Sequence, residues 1–470
     1  MCAENNQNYR TEEEAIALAS SGGSTVDRQA ARDAVASAFR EEIRHAFEPG
    51  AKVMSADREL RYCLELQRDR LARRNLQYKE DMDPGKTPAN SLNNVRSWKD
   101  GHYETSWSVG YIKHIKSAER AGMKSFKKTQ PQQIFETIVD VCDGEDISGD
   151  TYCCPNCGAV STIRELQEGC SQCGTSFKMT ELYPKVANYY FVPDPAVSTD
   201  PLWKTAIRYG LRALPVTLIL FLPMILLKTS GPSQSLKDLQ WTVPSVQKVI
   251  AYILAMIIMT PVIGYFLWIL STFVAAFRSV GKETPAALSV GNSRKRFAAQ
   301  MSAISPEYTF ETFSSKITTL FRILVFSDNK ESLPFNAVRN IGAEFDDVVD
   351  CTFRGWMSCK DIRVENNIVY VTGDVYVDTT RDLGDRLKVK SEVYQITAGR
   401  RTDIPFSTNF SIAKIQCPSC GGSFNSFKSK NCPYCGRECE PATDDWVLYD
   451  VRKAAGTSYR KDRRPDHQPL

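Results

Sequence analysis

Cys154, Cys157, Cys170 and Cys173 form two Cys-x-x-Cys knuckles, and Cys417, Cys420, Cys432 and Cys435 form two more. A Cys-x-x-Cys turn can bring both sulfurs to one ion, and two knuckles complete a tetrahedral four-thiolate shell. The expected cofactors are two structural zinc ions, with iron as the alternative metal. Four protein ligands leave no open coordination position, so neither metal is expected to be catalytic. Gly158, Gly174, Gly421 and Gly436 close the four knuckles. Glycine there permits the tight turn that aims backbone N–H groups at the sulfurs. The intervals between paired knuckles are slightly shorter than usual finger spacing, and Cys153 and Cys439 read as bystanders.

Other reactive side chains are sparse. Among 470 residues only His45, His102, His114 and His467 are histidines, so no His-based catalytic site is expected between Arg278 and Arg463. Asp374 and Asp378 lie on a Val-rich segment and could supply an acid or base, although single aspartates are far more often surface residues. No catalytic set emerges, and the chain reads as a non-enzyme. Eight of fifteen cysteines in metal-type spacing, with no apolar leader near the start, point to a reducing compartment. Fifty-nine basic against fifty-five acidic residues give a formal charge of +4, too little to argue for nucleic acid.

The elements that must carry these sites divide the chain into six segments and a tail. Residues 1–24 are polar and read as a disordered lead, and 456–470 as a disordered tail. Residues 25–94 form a helical region. Val35, Phe39, Ile43 and Phe47 recur every four residues and stop at Pro49–Gly50. Ser55 is the expected N-cap of a second helix with Leu60, Leu64 and Leu71 on one side. Its basic run Arg68–Arg74 suits either a solvated face or an acidic partner. Residues 95–196 are expected to form an α+β domain bearing the first metal site, with the aromatics of Trp98–Tyr111 filling a small core.

Two apolar stretches follow within residues 205–278. Val249 to Phe277 carries no charge, and such a helix exceeds the roughly 30 Å of membrane hydrocarbon. Ala213 to Leu227 would span only about 22 Å, so Arg212 and Lys228 must snorkel outward from its ends. The expectation is a two-helix transmembrane hairpin with spans at about 211–228 and 249–277. Lys204, Arg208, Arg212, Arg278, Lys282 and Arg294–Arg296 flank it, which places both termini in the cytoplasm. Residues 279–304 read as a basic linker, whose Arg294–Arg296 cluster can attract anionic lipid.

From Ser305–Pro306, an expected N-cap and first helical position, Phe310, Phe313, Ile317, Leu320, Phe321 and Leu324 keep helical spacing. Alternating β-branched segments follow: NIVYVTGDVYVD, RLKVKSEVYQI and NFSIAKIQ. NFSIAKIQ leads into the second metal site and DDWVLYDV leaves it, so this site is expected to connect two strands of one sheet. The fold class is α+β, with helices on one face of an antiparallel sheet.

This arrangement resembles the Tim-forty-four-like domain family. The resemblance is carried by FSSKITTLFRIL, by NIVYVTGDVYVD, and above all by CPSCGG to CPYCGRECEP followed by DDWVLYDV. The family includes a mitochondrial import translocase subunit and bacterial membrane proteins that carry a zinc ribbon at this point. The resemblance covers residues 305–455 and implies a cone-shaped fold like that of nuclear transport factor two. It also implies lipid or partner binding at a membrane surface. It carries over no catalytic residues. The ribbons and spans depart from the mitochondrial protein, so a role in import is not carried over.

The first site shares the plan of the second, a ribbon followed by the apolar stretch LYPKVANYYFV, which suggests an internal repeat. Together these readings describe an integral plasma-membrane scaffold or adaptor of bacterial type. Its cytoplasmic domains would bind a protein, peptide or lipid, with no nucleic-acid partner expected. The alternatives are a membrane-bound enzyme using a cone-fold pocket and a nucleic-acid- or redox-sensing ribbon protein.

Overall fold

The computed structural model describes residues 25–85, 97–157, 159–193, 209–215, 217–219, 227–229, 239–241, 246–306, 308–338, 341–403, 414–417, 419–420, 423–425, 431–438 and 445–454. The expected lead and tail lie outside them. Residues Met1–Asp194 and Ala286–Leu470 form one compact unit, and Pro195–Pro285 form a second.

The first unit is built from two halves of similar plan. In the first half, helix α1 (Thr25–His45) buries Ala36, Phe39 and Ile43, while Val35 and Phe47 sit at the margin. Gly50, at φ +77°, turns the chain away after it. Helix α2 (Arg58–Arg73) is capped by Asp57, which accepts from the Leu60 N–H at 2.8 Å. Ser55, the expected cap, instead donates to Glu42 at 2.5 Å. Leu60, Leu64 and Leu71 are buried as their spacing requires.

Strand β1 (Gln77–Pro84) then pairs with β3 (Tyr103–Glu119), so part of the expected helical region belongs to the sheet. Strand β2 (Ser97–Asp100) pairs with the start of β3, and β4 (Phe126–Val141) and β7 (Lys185–Pro193) complete an antiparallel sheet of order β1-β3-β4-β7. Between β4 and β7 lie the first metal site, its hairpin β5 (Thr151–Cys153) and β6 (Val160–Thr162), and short helices α3 (Ile163–Glu168) and α4 (Met179–Leu182).

The second unit and the segment after it hold a short β8 (Leu227–Thr229) paired with β9 (Leu239–Trp241), and the long helix α5 (Val246–Met301). Val249–Leu267 of α5 is long and apolar enough to cross a membrane, and only 6% of it is buried. Among the described residues, the expected hairpin is therefore met by one such helix. The described helix over the first expected span, Tyr209–Ile219, reaches only roughly 16 Å. Residues 220–226 lie outside the described ones, and Leu227 and Lys228 are held in β8 by backbone pairing. Helix α5 also runs through the segment expected as a basic linker, since helical hydrogen bonding continues to Met301.

The second half opens with α6 (Phe310–Phe326), capped by Thr309, which accepts from the Thr312 N–H at 3.2 Å. Ser305, the expected cap, closes α5 instead, its N–H donating to the Met301 carbonyl. The six apolar positions expected on α6 are all buried. Strands β10 (Val348–Glu365), β11 (Ile368–Asp382), β12 (Leu387–Arg401) and β15 (Val447–Lys453) form an antiparallel sheet in that order. The second metal site lies between β12 and β15. Its hairpin is β13 (Lys414–Gln416) and β14 (Ser423–Asn425). The last stretch of NFSIAKIQ thus belongs to the ribbon and not to the main sheet, and the sheet partner of β15 is β12.

The parallel between the halves extends to detail. Each places its ribbon before the final strand, and each final strand meets its neighbour with one register shift, at Thr137/Ile138 and at Thr397/Ala398. Equivalent parts also meet: α2 packs on α6, β6 on β14, and the β3–β4 tip reaches the β11–β12 tip through the Lys124 N–H and the Asp385 carbonyl, 2.9 Å apart. One continuous core joins Cys63 and Tyr190 of the first half to α6, β10–β12 and Trp446 of the second. At Gly355, with φ +74°, β10 bulges to admit Tyr190, since a Cβ there would lie 2.3 Å from its ring.

Candidate metal centres

In each half, the knuckle residues converge. The four sulfurs of Cys154, Cys157, Cys170 and Cys173 lie within 4.8 Å of one another, and so do those of Cys417, Cys420, Cys432 and Cys435. Cross-knuckle sulfur pairs are 3.6 and 3.7 Å apart at the first site and 3.5 and 3.6 Å at the second. Four thiolates roughly 2.3 Å from a tetrahedral ion have edges of about 3.8 Å, so both sites fit a four-coordinate ion. All eight cysteines are free of disulfides. In both sites the first cysteine of each knuckle is buried and the second exposed, so each ion would sit at the rim of its ribbon.

Local backbone geometry explains this convergence. The second knuckle of each site is the same turn. The Gly174 N–H donates to the Cys170 carbonyl at 2.7 Å and the Gly436 N–H to that of Cys432 at 2.8 Å, with φ of +70° and +73°. The first ribbon is braced further by α3, whose N-cap Thr162 and Glu165 form a reciprocal capping box. It also has a small core of its own, built from Tyr103, Ile147, Ile163, Leu166, Leu182 and Tyr183.

Hydrogen bonds prepare part of each shell for thiolate. The Thr175 hydroxyl, 3.4 Å from Cys173, and the Thr175 backbone lower that thiol to about 6. The backbone N–H of Cys420 does the same for Cys417, also to about 6. Burial pushes Cys154 the other way, up to about 12. A divalent ion supplies the positive charge that such a buried sulfur lacks, and its binding releases the proton.

The remaining residues singled out by the sequence are paired with neighbours in the fold. Asp374 pairs with Lys360 at 2.8 Å, and Asp378 accepts from Ser391 at 2.6 Å with Arg354 at 3.6 Å. His45 faces Glu48, and His102 lies near Glu145 and Asp150, all at the surface. Trp98, Trp107, Phe135 and Tyr190 form a chain of ring contacts, but Trp98, Trp107 and Tyr111 are only half-buried, and of the Trp98–Tyr111 aromatics Tyr103 alone is a buried core residue. The basic run Arg68–Arg74 is used in part inside the molecule, where Arg70 donates to the Phe345 and Val348 carbonyls and Arg74 pairs with Asp382, while Arg73 stays exposed beside Asp328. Arg294 pairs with Glu311, and Arg296 donates to the Cys359 and Lys360 carbonyls. The Arg294–Arg296 cluster is thus largely consumed by protein contacts.

A buried polar network at the junction of the halves escaped sequence reading. His114 lies 2.7 Å from Glu80 and 2.5 Å from Gln132, and its ring stacks on Phe191. Lys116 pairs with Asp350 across the junction at 2.7 Å. Burial raises the Glu80 carboxyl, but Lys116 and His114 outweigh it and hold it at about 2. The available signal was positional: His114 and Lys116 share the β3 face of buried Ile112 and Ala118.

Compared with protein-family models, curated proteins and solved structures, the chain matches none.

Proposed function

We propose that the chain is a membrane-anchored, non-enzymatic scaffold whose ribbon-bearing unit binds a protein, peptide or lipid at the membrane surface. The ions are zinc and serve the fold, since closed four-thiolate shells offer no position to a substrate. One observation carries the anchoring. Residues before Pro195 and after Pro285 share a single hydrophobic core, so the segment between them must return to the side it left. With Val249–Leu267 as one crossing, a return crossing by another part of Pro195–Pro285 is required.

Both termini then lie on one side. The cysteine-rich ribbons favour the reducing cytoplasm for that side, with the short connection outside the plasma membrane. The resemblance to Tim-forty-four-like proteins, drawn on the α6 and β11 segments and on the ribbon followed by Trp446–Leu448, supports partner or lipid binding by the second half. Membrane-permeable crosslinking in intact cells, with the chain recovered after a carbonate wash, tests this reading. The expected result is a pelleted chain carrying a discrete protein or lipid adduct. A chain released by carbonate, or recovered with no adduct at any crosslinker length, contradicts it.

A further inference from the structure

Each ribbon turns one edge of its sulfur cluster to solvent. Cys157 and Cys173 are exposed at the first site and Cys420 and Cys435 at the second, while Cys154, Cys170, Cys417 and Cys432 are buried. The exposure extends along the turns that carry the outward sulfurs, over Ser171–Gly174 in the first ribbon and Pro433–Glu438 in the second. Small solutes can therefore meet four of the eight sulfurs without any opening of the fold.

Cysteines outside the two sites are placed differently. Cys63, Cys142, Cys351 and Cys359 are all buried, and burial pushes each of these thiols up. A protonated, enclosed thiol is inert to mild oxidants, because the thiolate is the form that reacts. A coordinating ion instead keeps its sulfurs deprotonated. The outward sulfurs of the ribbons thus combine thiolate character with access.

An oxidised outward sulfur also has partners within reach. Cys173 lies 3.6 Å from Cys154 and Cys157 lies 3.7 Å from Cys170. Cys435 lies 3.5 Å from Cys417 and Cys420 lies 3.6 Å from Cys432. All four sulfurs of a site fall within 4.8 Å of one another. Forming an S–S bond of about 2.05 Å requires an approach of roughly 1.5 Å from these contact distances.

We propose that Cys157, Cys173, Cys420 and Cys435 are sites of reversible oxidation by small peroxides, with loss of the bound zinc. The outward thiolate attacks the peroxide, so that an S–O bond forms, the O–O bond breaks and hydroxide leaves to be protonated by the buffer. A second thiolate of the same shell then attacks the sulfenic sulfur. The S–S bond forms, the S–O bond breaks and a second hydroxide leaves. Two electrons pass from the sulfur pair to each peroxide. The new disulfide no longer supplies two anionic ligands, and the ion departs. This inference rests on the zinc reading of the sites and adds which sulfurs react.

The test exposes the full chain, purified in mild detergent under reductant and then freed of it, to hydrogen peroxide with dimedone, which captures sulfenic acids. Released zinc is followed with a chromogenic chelator, and modified cysteines are located by peptide mass spectrometry. Bound zinc should fall from two ions per chain to none. Dimedone should appear on Cys157, Cys173, Cys420 and Cys435, and Cys63, Cys142, Cys351 and Cys359 should stay unmodified. With dimedone omitted, dithiothreitol and added zinc should restore two ions per chain. Zinc retained at peroxide levels that oxidise free cysteine overturns the inference. So does dimedone on Cys154, Cys170, Cys417 or Cys432 in place of the outward sulfurs, equal modification of the four buried thiols outside the sites, or a loss of zinc that dithiothreitol does not reverse. A chain that carries no zinc before peroxide is added fails the metal reading itself, and this inference falls with it.

Discussion

Asp57 caps α2 with a carboxylate that is half-buried next to buried Glu59. Burial is the largest influence on it and Glu59 adds to it, so the Asp57 carboxyl is raised from 3.8 to about 7. The folded chain holds this proton over a range where the unfolded chain has already released it. The contribution of Asp57 to stability therefore falls as pH rises from about 4 to about 7. Asn is as good an N-cap as Asp and cannot ionise. Asp57→Asn should accordingly flatten this part of the stability profile and raise Tm at pH 8 relative to the parent, measured by thermal unfolding across pH. A profile unchanged by the substitution would show that Glu59 and Lys316, and not Asp57, set the local titration. At this scale the sequence was readable where a residue type dictates a local geometry. Glycine after a knuckle, and apolar residues four apart on α1, are such cases. It was unreadable where partners lie far apart in the chain: nothing local to Lys116 names Asp350, and nothing local to Arg70 names the carbonyls at Phe345 and Val348.

Among the elements, the ribbons explain how β7 and β15 reach their sheets. Each final strand is separated from its neighbour by a long connection, and an ion held by the four thiolates would close that connection. Removing one ligand should thus act on one half. Cys432→Ser is expected to lower bound zinc from two ions per chain to one, by elemental analysis. It should also speed amide exchange in Val447–Lys453 while leaving Lys185–Pro193 protected. Loss of both ions, or unchanged exchange in β15, would separate the ribbon from the strand that follows it. The four knuckles, the α6 stripe and strands β11 and β12 could be read from periodicity, because each is a local pattern. The pairing of β12 with β15 could not, since the intervening NFSIAKIQ carries the same alternation and its end is drawn into the ribbon hairpin. The first half was harder still: β1 is a charged segment whose buried Tyr78, Glu80 and Met82 show their alternation only once β3 lies beside it.

At the scale of the whole molecule, two ribbon-bearing halves share a core, and the apolar segment interrupts the connection between them. If that segment serves only as an anchor, replacing Pro195–Pro285 by a flexible Gly/Ser linker should yield a soluble protein that keeps both metal sites and unfolds in one cooperative transition. Calorimetry of this variant decides the matter, because two separate transitions would mean that the halves do not depend on each other. The apolar character of Val249–Leu267 was plain from sequence alone. The joining of the flanks was not, because it rests on contacts such as Tyr190 with Phe353 and Arg120 with Asp382 that link residues more than a hundred positions apart.

The most direct measurement is native mass spectrometry of the intact chain released from mild detergent, followed by the same measurement after denaturation in acid. Two zinc ions per chain, lost on denaturation to leave a mass with every cysteine reduced, is the result expected of two closed four-thiolate sites. A chain without metal, lighter by two hydrogens for each pair of knuckle cysteines joined as a disulfide, would contradict it.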